Sequence, residues 1–206
     1  MNFFLSIAAS SVVQLVLFTF IPALWWAITA RKDTSFFQWI GLIPVPRNVR
    51  SRVVGATFGV WVAFLFVSLG VLILTQDVAS ATSPFSGRGI AALPAILVYA
   101  TITTALSEEI LFRGFLLKRI AVVLGFARAN ILQALLFGAV HGLLLLVTGS
   151  TNFLIAATVT FFTALVGWAL GFLNERLAQG SILPSWTIHA LSNIVSGLLT
   201  AYSVFS

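Results

Sequence analysis

Five ionisable side chains lie inside the long apolar segments of this 206-residue chain: Glu108, Glu109, Arg113, His141 and His189. They include both histidines and two of the five acidic residues. A charge at the centre of a bilayer costs about 2.5–3.5 kcal/mol on insertion scales, so such groups are candidates for function. A carboxylate beside a neutral imidazole can hold and deprotonate water, and nearby donors can stabilise the oxyanion formed at a carbonyl. These residue types therefore predict hydrolysis without a covalent intermediate.

Helical spacing separates the two adjacent glutamates. Glu109 and Arg113 are four residues apart with the acid first, the favourable order for an ion pair on one helix face. Glu108 points about 100° away from Glu109 around the helix and has no such cation nearby. The Glu109–Arg113 pair is therefore predicted to orient other groups rather than to react.

Two further pairs have the same four-residue spacing, namely Phe137 with His141 and His189 with Asn193. Each pair projects from one face of its helix, so three helices are predicted to carry polar groups towards one another. The structural alternative is a buried network that only ties the helices together. Apolar packing would stabilise the bundle at lower cost than such a network, which favours a functional site.

The composition predicts the class of fold. Hydrophobic residues make up 60% of the chain, charged residues only 8%, and the mean hydropathy is +1.09, whereas soluble domains have roughly 45–50% apolar and about 25% charged residues. We therefore predict an all-α, polytopic helical membrane bundle with about six transmembrane helices. The chain contains no cysteine, which excludes disulfides, thiolate metal sites and a cysteine nucleophile.

The predicted spans form a single integral membrane domain over residues 1–206 and cover 3–30, 53–75, 90–117, 129–147, 152–173 and 181–204. The first span lacks the basic start of a signal peptide and is expected to be retained. The connection 31–52 has apolar residues between basic ends and is interrupted by Pro44 and Pro46, which predicts a segment at the membrane interface.

The basic residues predict the orientation in the cell membrane. Nine of the eleven Lys and Arg residues fall in the first, third and fifth connections, so these connections are predicted to be cytoplasmic and both termini outside. The net charge of +6 is thus explained by basic residues in the cytoplasmic connections. The predicted partner is therefore the lipid bilayer rather than nucleic acid. Counted from the cytoplasmic helix ends, Glu108 and His189 lie roughly 12–15 Å deep and His141 about 18 Å, in the cytoplasmic half.

Three short motifs in this order carry a resemblance to a known family. "EEILFR", "FGAVH" and "HALSN" match the EExxxR, FxxxH and HxxxN signatures of the CPBP intramembrane proteases. That family includes the type II CAAX prenyl proteases and bacterial proteins linked to bacteriocin self-immunity. The resemblance covers a catalytic core over residues 90–200, including the phrase "GSILPSWTIHALSNI".

The resemblance implies a role for each matching residue. Glu108 and His141 would activate water, His189 and Asn193 would stabilise the oxyanion, and the supporting residues would be Glu109, Arg113 and Phe137. The implied substrate is a membrane-embedded or lipidated protein or peptide. Only two spans precede the motif helix, fewer than the prenyl proteases usually carry, so the resemblance does not decide whether prenylated CAAX proteins are substrates.

The same residues allow other interpretations. Glu108, His141 and His189 could instead hold a catalytic zinc ion, although the HExxH arrangement is missing; we predict that no cofactor is required. Two histidines on different helices could ligate haem, and buried carboxylates could serve a proton-coupled transporter, although no inverted repeat is evident. A bacteriocin-immunity or membrane binding protein of the same fold, without catalysis, is a further alternative.

Overall fold

The computed structural model describes residues 2–74, 82–148 and 151–204. Their regular structure is entirely helical, and the predicted all-α membrane bundle is confirmed. Beside a short 3₁₀ turn at Ser83–Phe85, these residues form helices α1 (Phe3–Thr29), α2 (Phe36–Ile40), α3 (Arg50–Leu74), α4 (Gly89–Leu124), α5 (Phe126–Val147), α6 (Phe153–Leu177) and α7 (Leu183–Ala201). The predicted end of the second span at Thr75 and the residues Gly149 and Ser150 of the fourth connection lie outside the described residues.

Five of these helices, α1, α3, α4, α5 and α6, are long and apolar enough to cross a membrane. The chain is therefore a multi-pass membrane protein. The sixth predicted span corresponds to α7, which has 19 residues but is more polar, since it carries His189 and Asn193 together with several serines and threonines. Helix α7 packs against α3 and α4, and this packing buries polar side chains such as Ser185, His189 and Ser192.

Helix α4 alternates between helical geometries. Two π-helical segments, Tyr99–Leu106 and Ile110–Leu117, flank a three-residue α-helical segment, Ser107–Glu109. Such wide π turns occur frequently at functional sites. Glu108 and Glu109 therefore lie on the short regular segment between two irregular ones, a feature that the sequence pattern did not predict.

Helix α4 extends beyond the predicted end of its span at residue 117, through Lys118 and Arg119 to Leu124. Lys118 pairs with Glu175 of α6, so this basic residue packs within the helical part of the bundle. The third connection is reduced to Gly125, whose φ of +75° suits glycine.

Glycines bring α5 and α6 into close contact. A Cβ atom on Gly138 would overlap the Thr160 carbonyl, and one on Gly171 would overlap Asn130 Oδ1. The Gly138/Gly142 and Gly167/Gly171 pairs thus form a small-residue interface between the two helices. The third pair with this spacing, Gly55/Gly59 on α3, faces space with no other atom within 4 Å.

Replacement of Gly138 by Ala should therefore destabilise the protein by about 1–3 kcal/mol, since the added methyl overpacks a filled interface. The matched control is Gly55→Ala, which adds the same methyl in open space and should not lower stability. The measurement is the free energy of unfolding in detergent micelles. Equal stabilities of the two variants would contradict this packing.

The connection between α1 and α3 packs on the bundle. Trp39 and Ile40 of α2 are buried against Ile110 and Phe115 of α4. The backbone N–H of Ile182, just before α7, donates to the Gly41 carbonyl at 2.8 Å, and the Ser181 hydroxyl donates to the Ile43 carbonyl at 2.6 Å. This segment therefore covers the start of α7 at the basic end of the bundle.

Candidate active site

Three helices bring the predicted reactive groups together. Helix α4 carries Glu108, α5 carries His141 and α7 carries His189. Glu108 Oε2 lies 3.9 Å from His141 Nε2 and 3.8 Å from His189 Nε2. This oxygen is buried and has no hydrogen-bond partner within the described part of the chain. We call these three residues the catalytic cluster.

The orientation of His141 follows from its second ring nitrogen. His141 Nδ1 lies 2.8 Å from the Phe137 carbonyl oxygen. A carbonyl only accepts hydrogen bonds, so Nδ1 must donate, and in the neutral ring Nε2 carries a lone pair. His141 therefore presents an acceptor towards the Glu108 carboxylate.

Glu109 lies at the centre of a network beneath the catalytic cluster. Its carboxylate forms an ion pair with Arg113 at 3.0 Å, and both side chains are fully buried. It also accepts hydrogen bonds from His189 Nδ1 at 3.3 Å and from the Ser185 hydroxyl. Because Nδ1 donates to Glu109, His189 presents an N–H at Nε2 only when both ring nitrogens carry protons.

Phe137 contacts Arg113 of the buried ion pair and both histidines of the catalytic cluster. Its ring lies 4.1 Å beneath the Arg113 guanidinium, 4.6 Å from the His141 ring and 6.2 Å from the His189 ring. The first contact has the geometry of a cation–π interaction. Phe137 therefore packs against Arg113 and both imidazoles and restricts the positions of the two rings.

Asn193 is held by a residue that sequence reasoning missed. Its Nδ2 donates to Thr104 Oγ1 at 2.7 Å, and Thr104 Oγ1 lies 3.2 Å from the Ala100 carbonyl. One amide hydrogen of Asn193 is thus committed, which orients the other. The sequence did contain a signal for Thr104, since this residue precedes Glu108 by four residues, the same spacing as in the motif pairs.

Ser185 was missed in the same way, although it precedes His189 by four residues. Its hydroxyl donates to Glu109 and accepts a hydrogen bond from Asn174 Nδ2 at 2.6 Å. Asn174 lies in the π-helical end of α6, Leu173–Leu177, and had no recognisable spacing to the motifs. The network therefore connects the end of α6 to the carboxylate that orients His189.

A cavity of about 420 Å³ opens above the catalytic cluster. Two kinds of wall surround it. Polar side chains line the wall formed by α1, α4 and α7, among them Gln14, Thr104, Ser192, Asn193 and Ser196, and apolar side chains dominate the wall formed by α3, α5 and α6. A substrate in this cavity would have the Glu108 carboxylate and both histidines at its base.

The donors for the zinc alternative lie together in the catalytic cluster, somewhat farther apart than the ligands of one bound zinc ion. Glu108, His141 and His189 would be its ligands, and the described residues contain no group of three His, Cys, Asp or Glu placed to hold a metal ion. Ligands of one zinc ion lie about 2.0–2.2 Å from it, which would draw the three donor atoms closer together than the 3.8–3.9 Å found here. The contact of His189 Nδ1 with Glu109 leaves Nε2 as the ring nitrogen that faces Glu108.

Fold and site together define a multi-pass helical membrane protein with a carboxylate and two imidazoles at the base of an internal cavity. A family model described as type II CAAX prenyl endopeptidase Rce1-like matches residues 90–195, just over half of the chain. The chain belongs to this family of endopeptidases, which confirms the resemblance carried by the three motifs. Comparison with curated proteins and with solved structures gives no significant match.

Proposed function

We propose that this protein is an intramembrane endopeptidase that hydrolyses a peptide bond in a membrane-associated protein or peptide. The observation that carries the proposal is the buried, unpartnered Oε2 of Glu108 between the two imidazole Nε2 atoms. A water molecule between Glu108 and His141 could donate one hydrogen bond to each, which directs its lone pair away from both. The membership in an endopeptidase family supports the same conclusion.

In the proposed reaction, Glu108 takes a proton from water while the water oxygen forms a bond to the carbonyl carbon. His141 Nε2 accepts the second hydrogen of that water and fixes its orientation. The negative charge on the former carbonyl oxygen is stabilised by the free amide hydrogen of Asn193 and by His189, when its Nε2 carries a proton. When the C–N bond breaks, the leaving nitrogen receives the proton held by Glu108, so the carboxylate is regenerated. Glu109, Arg113 and Phe137 position these groups without reacting.

Replacement of Thr104 by Val should lower kcat more than it changes KM, because Asn193 loses its acceptor and its amide is no longer oriented. A net hydrogen bond contributes about 0.5–1.5 kcal/mol, which corresponds to about a two- to tenfold lower rate. Thr104→Ser retains the hydroxyl and should recover most of the activity. If the serine variant is as slow as the valine variant, Thr104 does not act through its hydroxyl.

Two classes of substrate suit the proposed reaction. The family description names CAAX prenyl endopeptidases, so a lipidated CAAX-type peptide is one candidate and an unmodified membrane peptide is the other. The described residues that line the cavity include no Lys or Arg, so a free C-terminal carboxylate would meet no permanent cation. This lining favours cleavage at an internal bond.

The test is cleavage by the purified protein in proteoliposomes, with prenylated and unprenylated peptides compared and the products identified by mass spectrometry. We expect cleavage by the wild-type protein and cleavage at least about 100-fold slower by Glu108→Gln. The proposed reaction needs no metal, so a chelator should leave the rate unchanged and added zinc should not raise it. Binding of peptides without cleavage would favour an immunity or binding protein, and proton flux without cleavage would favour a transporter.

A further inference from the structure

The cavity above the catalytic cluster extends in one direction only. On α3 and α5, every lining residue lies in the half of the helix that is farther from the basic connections. The lining runs on α4 from Glu108 back to Tyr99, on α5 from Phe137 to Leu144, and on α7 from His189 to Ser196. All three progressions lead away from the ends of the helices that carry the basic residues, and Thr82 lines the far end.

The opposite side of the catalytic cluster is closed by protein. A layer of fully buried polar side chains lies there; we call it the polar layer, and it consists of Glu109, Arg113, Asn130, Gln133, Asn174 and Ser185. Its members bond to one another and to helix carbonyls: Gln133 Nε2 donates to Gly167 and Asn130 Nδ2 donates to Trp168, each at 2.9 Å. These six side chains have no solvent-exposed surface, so the polar layer covers this side of the catalytic cluster.

Contacts of Lys118 and of the interfacial connection form a second barrier on this side. Lys118 Nζ forms an ion pair with Glu175 at 2.5 Å and donates to the Gly180 carbonyl at 2.9 Å. The contacts of Gly41 and Ile43 with residues 181 and 182 continue this closure. A route from the basic face to Glu108 would need to separate all of these contacts.

A rival route would use a groove of about 360 Å³ between α3 and α7 on the basic side. Its lining is almost entirely apolar and includes Val53, Trp61 and Ile188. Among the described residues, the groove and the catalytic cavity have no lining residue in common. Ile188, which lines the groove, is fully buried. The groove therefore offers neither water nor a peptide backbone a polar path to Glu108.

We propose that water and substrate reach Glu108 from the membrane face opposite the basic connections, and that the substrate is an uncharged, extended peptide segment presented on that face. The polar wall supplies hydroxyl and amide partners for a peptide backbone, and the apolar wall accommodates its side chains. Under the predicted topology this face is the non-cytoplasmic one. The nature of the substrate rests on the proposed function, whereas the direction of access does not.

The absence of cysteine makes a direct test available, because each introduced thiol is then the only one in the protein. Four serine-to-cysteine variants form a matched set: Ser196→Cys in the cavity, Ser185→Cys in the polar layer, Ser86→Cys on the exposed turn before α4, and Ser51→Cys on the exposed basic end of α3. Each is treated with a charged, membrane-impermeant methanethiosulfonate in right-side-out and in inside-out vesicles, and labelling is read as a mass shift.

We expect Ser196→Cys to be labelled in the same vesicle preparation as Ser86→Cys and to a comparable extent, and Ser185→Cys to be labelled in neither. Labelling of Ser196→Cys together with Ser51→Cys, or in neither preparation, would overturn the proposal, as would labelling of Ser185→Cys from the basic face. If Ser196→Cys does not fold, Thr163→Cys replaces it on the opposite wall of the same cavity. A protein that is labelled as expected but cleaves no peptide keeps this access route and loses the proposed function.

Discussion

Replacement of Glu108 by Gln should lower kcat about 100- to 10,000-fold, the range that a positioned general base contributes. Glutamine has nearly the same shape as glutamate but does not take a proton from water. KM should change little, since the amide still fits at the base of the cavity. The measurement is kcat and KM with the peptide that the wild-type protein cleaves in proteoliposomes.

The matched control for this prediction is Glu175→Gln. Glu175 pairs with Lys118 outside the cavity, so the same change in charge and shape there should leave the rate close to that of the wild-type protein. An unaltered unfolding midpoint would show that Glu108→Gln still folds. His141→Ala and His189→Ala should also lose most activity. Cleavage by Glu108→Gln at the wild-type rate would disprove the proposed mechanism.

Replacement of Arg113 by Met should destabilise the protein by about 3–5 kcal/mol, because it leaves the Glu109 carboxylate buried without its cation. Both side chains are fully buried, at an ion-pair distance of 3.0 Å. The double variant Glu109→Gln/Arg113→Met removes both charges and should recover much of this loss. The measurement is the free energy of unfolding in detergent for the wild-type protein, each single variant and the double variant.

Two further measurements show whether the loss of stability comes from the buried ion pair. Arg88→Met removes an exposed arginine that lies over the Phe3 ring, and its effect should stay within about 1 kcal/mol. The double variant should be nearly as stable as the wild-type protein yet poorly active, because it lacks the Glu109 carboxylate that orients His189. A double variant less stable than Arg113→Met alone would contradict the role of the buried pair.

Much of the fold and of the candidate site could be predicted from local features of the sequence. The hydropathy of the chain predicted a helical membrane bundle, since about 20 apolar residues in a row suit a bilayer and little else. Four-residue spacing predicted the Glu109–Arg113 pair, because both residues belong to one helix and their separation follows from its pitch. The ordered motifs around Glu108, His141 and His189 identified the family and supplied the residues of the predicted site.

Spacing alone did not determine how those residues contact one another across helices. Ser185 and His189 reach Glu109 from 76 and 80 residues away, and Asn193 reaches Thr104 from 89 residues away. Such contacts depend on the rotation and crossing of packed helices, which no local periodicity encodes. Thr104 and Ser185 had the right spacing, but only packing revealed that they orient Asn193 and Glu109.

The contacts of the glycines, the geometry of α4 and the position of the cavity also depend on packing between helices. Three glycine pairs share one spacing, yet only two of them meet a neighbouring helix. The π-helical segments of α4 and its extension to Leu124 depend on hydrogen bonds and neighbours that a hydropathy pattern does not contain. The sequence by itself therefore determined which groups lie within the membrane and on which helices. Only the tertiary structure decided that Glu108 Oε2 has no hydrogen-bond partner among the described residues. It also decided on which side of Glu108 the cavity opens. Both features depend on side chains that meet across helices.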